Sequence, residues 1–190
     1  MFHIIWVLAL VWSRVVLGAP VYLEKGWNPV LDQSSPKKYG VPLEKRQDLS
    51  SEESKFVDTM NASFKSAETM FDTYTGVLKA VDPDQHDPQI NTIASNTDRM
   101  LSMAVTYCQT VEARFGKGKW EPVMKNALTP FISQASPVVQ GLADKGKKIS
   151  QATASQLSGD TDKVVKCAEK AGADASALKI SLDNFNKRSK

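Results

Sequence analysis

The sequence predicts an all-α protein, an antiparallel bundle of four to six helices behind a disordered N-terminal leader. Three observations predict it. Val57, Met60, Phe64, Ala67, Phe71, Tyr74, Leu78 and Val81 recur at alternating spacings of three and four, which a helix brings onto one side. A second stripe follows a proline-bounded turn: Ile90, Ile93, Thr97, Met100, Leu101, Ala104, Cys108, Val111 and Phe115. No segment sustains the strict alternation that a half-buried strand requires.

Each helix has its own start and stop signals. Ser50 and Glu53 form a capping-box pair at the head of the first, where hydroxyl and carboxylate satisfy free amides of the first turn. Asp82-Pro83 closes it, and Gly76 weakens its last turns. The run Asp82–Pro88 is a turn. Its acids do not make a calcium loop, because Asp87 stands where the sharp-turn glycine belongs and Ile93 where the bidentate glutamate belongs. The second helix runs from about Gln89 to Phe115 and stops at Gly116-Lys117-Gly118-Lys119. That tetrapeptide lacks the spacing of a phosphate-binding loop.

Trp120-Glu121-Pro122 opens a third helical region, with proline in its first turn. Pro130 and Pro137 each remove an amide donor, so the expectation is one short helix to about Thr129 and another to about Lys147. A fourth helix spans about Ile149 to Ala171 on a thin face of Leu157, Val164, Val165 and Ala168, with Gly159 weakening its middle and Asp160 or Thr161 placed to start a new cap. After Gly172 a last helix, Ala173 to about Asn186, puts Leu178, Leu182 and Phe185 on one side.

The segment before these helices reads as leader. Residues 4–12 are continuously apolar and Val15–Pro20 ends in small residues, the pattern of a signal peptide over residues 1–19. The apolar run is shorter than the ~20 residues of a membrane span, and Arg14 interrupts it. No later stretch reads as a transmembrane segment, and the C-terminal residues are too polar for a GPI-anchor signal. Residues 20–46, with Pro20, Pro29, Pro36 and Pro42, read as a disordered pro-segment. It ends in Lys45-Arg46, a dibasic pair of the kind cleaved by secretory-pathway proteases, which leaves residues 47–190 as the helical-bundle domain. The expected location is therefore secreted or extracellular.

Charge sharpens this division. The leader holds six bases and three acids out of 24 and 21, so 18 of each remain beyond Arg46. A net charge of zero removes the compositional support for a nucleic-acid partner. The balance conceals an asymmetry: residues 47–98 carry three bases and ten acids, and residues 99–190 carry 15 bases and eight acids. Helices of opposite sign packed as neighbours explain this. The alternative is a basic face of Lys145, Lys147, Lys148, Lys163, Lys166 and Lys170 that meets anionic lipid or cell-wall polysaccharide.

Two cysteines follow the leader, Cys108 and Cys167. In an oxidising compartment an even pair suggests one disulfide, here joining the second helix to the fourth, with ~4 kcal/mol as the ceiling set by loop closure. Two buried free thiols are the alternative. Asn61-Ala62-Ser63 is a glycosylation sequon just off the apolar seam. The chemistry of an enzyme is missing. His86 is the only histidine beyond the leader, no Gly-x-Ser-x-Gly elbow exists, and the cysteines have no base partner, so the expectation is a non-enzymatic protein with no metal and no cofactor.

Leu128-Thr129-Pro130, followed by Val138-Val139-Gln140-Gly141-Leu142-Ala143-Asp144-Lys145-Gly146-Lys147-Lys148, is similar to the "LTP…L..L..KK" region of the fungal hydrophobic-surface-binding protein A and cell-wall galactomannoprotein family. With the Lys-Arg processing point and the Ala/Ser/Thr/Asp-rich helices, the resemblance covers about residues 50–185. It implies a helical bundle in the secreted or cell-wall space that attaches to hydrophobic surfaces or holds lipid between its helices. Met60, Phe64, Phe71, Met100, Phe115 and Phe131 are the candidates to line such a pocket; their other reading is as ordinary core. The expected function is binding of an apolar ligand or hydrophobic surface through amphipathic helices. The alternative is a secreted effector, a cytokine-like ligand whose outer face binds a receptor.

Overall fold

The structure, a computed structural model, describes residues 49–81, 88–145 and 148–188. They form five helices: α1 Ser51–Ala80, α2 Pro88–Phe115, α3 Trp120–Asp144, α4 Gln151–Ala171 and α5 Ser176–Arg188. No strand occurs among the described residues. The signal peptide, the pro-segment, Lys45-Arg46, residues 82–87 of the turn and Lys147 lie outside them.

The caps explain most boundaries. At the head of α1 the Glu53 amide donates to Ser50 Oγ at 3.2 Å and the Ser50 amide donates to Glu53 Oε2 at 2.7 Å. The Ser50 amide holds the Glu53 carboxyl below the ordinary carboxylate range. Ser50→Ala removes half of the box and is expected to cost ~1 kcal/mol in denaturant unfolding. Gly116 and Gly118 take left-handed φ of 69° and 88° between α2 and α3, where a β-carbon would be strained. Ser150 caps α4, its Oγ accepting from the Thr153 amide. Gly172 ends it in the left-handed region, with the Ala173 amide donating to Ala168 O at 2.8 Å. The last helix begins at Ser176, three residues later than expected, because Asp174 turns its carboxylate onto the Ser176 amide at 2.9 Å and holds the chain out of the helix until then.

Two expected breaks do not occur. α3 is continuous through Pro130 and Pro137, and α4 is continuous through Gly159. The reason is burial. Each proline costs about 3 kcal/mol in a helix interior. Against that stand thirteen buried residues of α3, among them Met124, Leu128, Phe131, Val138 and Leu142, each contributing about 1.5–3 kcal/mol when large and apolar. Pro130 is half-buried and Pro137 exposed, so the lost donors fall away from the core. Gly159 is also exposed, and Leu157, Thr161, Val164 and Val165 around it are buried.

The helices form two layers with α3 at the centre, touching each of the other four. α1, α3 and α5 lie side by side; α2 and α4 form the second layer. Consecutive helices run antiparallel, as Phe56 meeting Phe115 and Phe64 meeting Tyr107 show for α1 and α2. Neighbours within a layer run parallel. Phe64 meets Phe131 and Leu78 meets Gly141 along α1 and α3. Ser181 donates to Ser136 O and Asn184 donates to Gln140 Oε1 along α3 and α5. A β-carbon at Gly141 would lie 3.1 Å from Leu78, so the missing side chain lets α1 close onto α3.

Candidate functional site

The six residues expected to line an apolar slot are all buried, between 0 and 8% exposed. Three of them fill one another's space: the Phe131 ring lies 5.0 Å from Phe64 and 5.2 Å from Phe71, both tilted or edge-on. Met60 belongs to the same core, as do Met100 and Phe115 on α2. All six lie in the packed centre of the bundle, where seams from α1, α2 and α3 converge.

Apolar surface is instead presented where α1 meets α2. Among the described residues, the half-buried Val, Leu, Met, Phe and Tyr side chains lie on these two helices or beside the ends of α1: Leu49, Phe56, Tyr74, Val77, Val81, Met103, Val105 and Tyr107. Met70, on the same flank of α1, is 39% exposed. On the other three helices the large aliphatic and aromatic side chains are buried, apart from Ile180 at 60%. Residues 56, 63, 70, 74 and 77 of α1 recur at intervals of seven, seven, four and three, one flank of a helix, and share a side with 96, 103 and 107 of the antiparallel α2. At ~1.5 Å per residue the seam is about 30 Å long.

Polar groups cross this seam at two points. Ser63 Oγ and Tyr107 OH are 2.9 Å apart, and Asn96 Nδ2 donates to Tyr74 OH at 3.0 Å. At one end the Arg114 guanidinium sits 5.1 Å from the centre of the Phe56 ring, with Tyr107 edge-on to the same ring at 5.9 Å. The sequence placed Tyr74 on the core stripe. The structure moves it to the rim, where its hydroxyl has a partner. Phe56, Met70, Met103 and Tyr107 were missed, since they stand one step off the stripe and only the antiparallel pairing of α1 and α2 reveals their common side.

The second layer is stapled. Cys108 on α2 and Cys167 on α4 are joined as a disulfide with a Cα separation of 6.4 Å. Further along the same two helices, Asp98 of α2 feels the charges of Asp160 and Lys163 on α4. Its Oδ1 is buried and has no hydrogen-bond partner among the described residues. Burial, and then the charge of Asp160 on α4, push the Asp98 carboxyl above the ordinary range, against the opposing pull of Lys163 and Arg99. A raised folded-state value means that the folded protein binds the proton more tightly than the unfolded chain. Stability from this group is therefore fully present below the unfolded-state value and lost as pH rises through the folded one. Asp98→Asn is expected to raise the thermal midpoint at pH 7 and to change it little near pH 4. A larger gain at pH 4 than at pH 7 would contradict this.

Of the lysines expected to form a basic face, Lys163, Lys166 and Lys170 lie exposed along α4 and Lys145 does not. Lys145 is buried and its Nζ donates to Val81 O at 2.8 Å, tying the end of α3 to the end of α1. Lys163 pairs with Asp160 at 2.7 Å, Lys166 with Asp162 at 2.6 Å and Lys170 with Glu112 at 3.7 Å. These acids all belong to the C-terminal half themselves, so the pairs leave its excess of positive charge standing. Asn61 of the sequon is half-exposed on α1, while Ser63 is engaged with Tyr107.

No helix among the described residues is long and apolar enough to cross a membrane, and no group of three or more His, Cys, Asp or Glu among them is placed to hold a metal ion. The fold and the seam define an all-helical bundle with an apolar rim between its first two helices. No family model, curated protein or solved structure matches the chain. The resemblance to hydrophobic-surface-binding proteins therefore rests on its quoted residues alone.

Proposed function

We propose that this is a secreted, non-enzymatic protein that binds lipids or hydrophobic surfaces through its first two helices. The observation that carries the reading is the segregation of half-exposed large apolar side chains onto the α1–α2 seam: Phe56, Met70, Tyr74, Val77, Met103 and Tyr107. A line of aromatic and methionine side chains about 30 Å long adapts to chains of varied shape, because Met is flexible and the rings are amphipathic.

Magnitudes distinguish two modes of contact. Finishing the burial of six half-exposed side chains contributes about 1 kcal/mol each. That gross ~6 kcal/mol barely exceeds the smallest association cost, about 4 kcal/mol. A closed seam is thus a weak, reversible contact. Tight binding requires the side chains beneath it, Met60, Phe64 and Phe131, which are reached by parting α1 from α2.

The test is organic extraction of the protein purified from its own secretion medium, followed by mass spectrometry, together with adsorption to an octyl-coated surface. Co-purified lipid or saturable adsorption is expected. A lipid-free protein that does not adsorb would overturn the reading and favour a receptor-binding role for the outer faces.

A further inference from the structure

We infer that α1 is the moving element of the bundle: a strap that swings off α2 while keeping its footing on α3, so that the α1–α2 seam is the line along which the core opens. The inference rests on the proposed binding role for its purpose but not for its test.

The attachments of the five helices are unequal. α2 and α4 are joined covalently through Cys108 and Cys167, and Asn91 of α2 also clasps the approach to α4, donating to Lys148 O at 3.1 Å and accepting from the Ser150 amide at 2.9 Å. α5 is short, yet it is tied to both its neighbours. Ser181 and Asn184 bond to α3, Arg188 pairs with Asp144, Asn186 accepts from Ser158, and Lys179 pairs with Glu169. α1 is the longest helix and buries six residues, against thirteen for α3. It packs mainly on α3, meets α2 only along the seam, and has no substantial contact with α4 or α5.

The two sides of α1 also differ in kind. Toward α3 it offers Phe64, Phe71 and Leu78 to Phe131 and to the gap at Gly141, a dry contact of large side chains. Lys145 adds a part-buried, charge-assisted hydrogen bond to Val81 O at the far end, a natural pivot. Toward α2 the contact is less extensive: Phe56 meets Tyr107 and Phe115, Phe64 meets Tyr107, and two part-buried hydroxyl bonds, Ser63–Tyr107 and Asn96–Tyr74, are neutral pairs of modest net worth. Local opening follows the boundary with fewest buried contacts and most exposed polar links. Here that boundary is the α1–α2 seam.

Native-state hydrogen exchange on the purified protein tests this without any ligand. Amides of α1 between Met60 and Leu78 are expected to exchange at least tenfold faster than those of α2 and α4 flanking the disulfide. Bridging Ser63→Cys and Tyr107→Cys with a short bis-maleimide is expected to bring α1 to the rate of the rest. Equal exchange in α1, α2 and α4 of the unbridged protein would overturn the inference, whatever the protein binds. A second arm uses vesicles of phosphatidylcholine. The bridged variant is expected to bind at least tenfold more weakly than the same double variant capped with a monofunctional maleimide. Equal binding by the bridged and capped proteins would show that the strap does not serve binding. Absence of binding by the wild-type protein would count against the proposed function, leaving the exchange result to decide the motion.

Discussion

Replacing Cys108 and Cys167 together by alanine is expected to destabilise the protein by about 4 kcal/mol, visible as a fall of the thermal midpoint on the order of 10–15 °C. The bond closes a loop with a sequence separation of 59, so breaking it returns a large conformational entropy to the unfolded chain. It also joins the two parallel helices of the second layer near their C-terminal ends, where the exposed Lys170–Glu112 pair adds only about 0–1 kcal/mol. Both cysteines are buried, so alanine leaves small cavities that add to the loss. Reduction of the unmodified protein should reproduce most of the effect. A loss below 1 kcal/mol would mean that the remaining contacts of α2 and α4 fix their pairing unaided.

Phe131→Ala is expected to cost 3–5 kcal/mol, the largest loss for any single side chain. The Phe131 ring is fully buried and touches Phe64 and Phe71, so it joins α1 to the central helix at two successive turns. Truncation removes both ring contacts and leaves a void that helices anchored elsewhere cannot close. Phe131→Leu restores most of the volume and should recover more than half of the loss in urea unfolding. Because Phe131 is part of the footing of α1, the alanine variant should also raise exchange across α1 more than across α4. Uniform loosening of all five helices would assign Phe131 to the general core instead.

Much of the fold was legible in the residues. The α1 seam, the Ser50–Glu53 box, the stop at Gly116–Lys119 and the Cys108–Cys167 pair are local or pairwise signals, and each stands where its chemistry requires. The continuity of α3 was not legible. Pro130 and Pro137 act locally, and the burial that outweighs them comes from four other helices. The candidate site was less legible than the fold. A stripe at helical spacing locates the buried face, which is why Met60, Phe64 and Phe131 were found. The rim residues Phe56, Met70, Met103 and Tyr107 acquire a common surface only when α1 and α2 lie antiparallel with residue 64 opposite residue 107. Likewise, only the fold shows that Lys145 turns inward onto Val81 O and that Lys170 reaches Glu112 of a neighbouring helix.

The segregation of apolar rim residues also defines where function should be sensitive. Substitutions on the outer faces of α4 and α5, such as Lys166→Ala or Lys179→Ala, should leave apolar binding unchanged, because those lysines are exposed and paired with neighbouring carboxylates. Substitutions along the seam should act on binding more than on stability, since their side chains are only half-buried.

The most direct measurement is therefore saturation binding of the purified protein to phosphatidylcholine vesicles, comparing the wild type with a Met70→Ser/Met103→Ser variant. Both side chains lie on the exposed rim, so the variant should unfold within about 1–2 kcal/mol of the wild type. If the seam is the binding surface, the variant binds at least tenfold more weakly. Equal binding by a folded variant, or no binding by the wild type, would contradict a lipid-binding role for the α1–α2 seam.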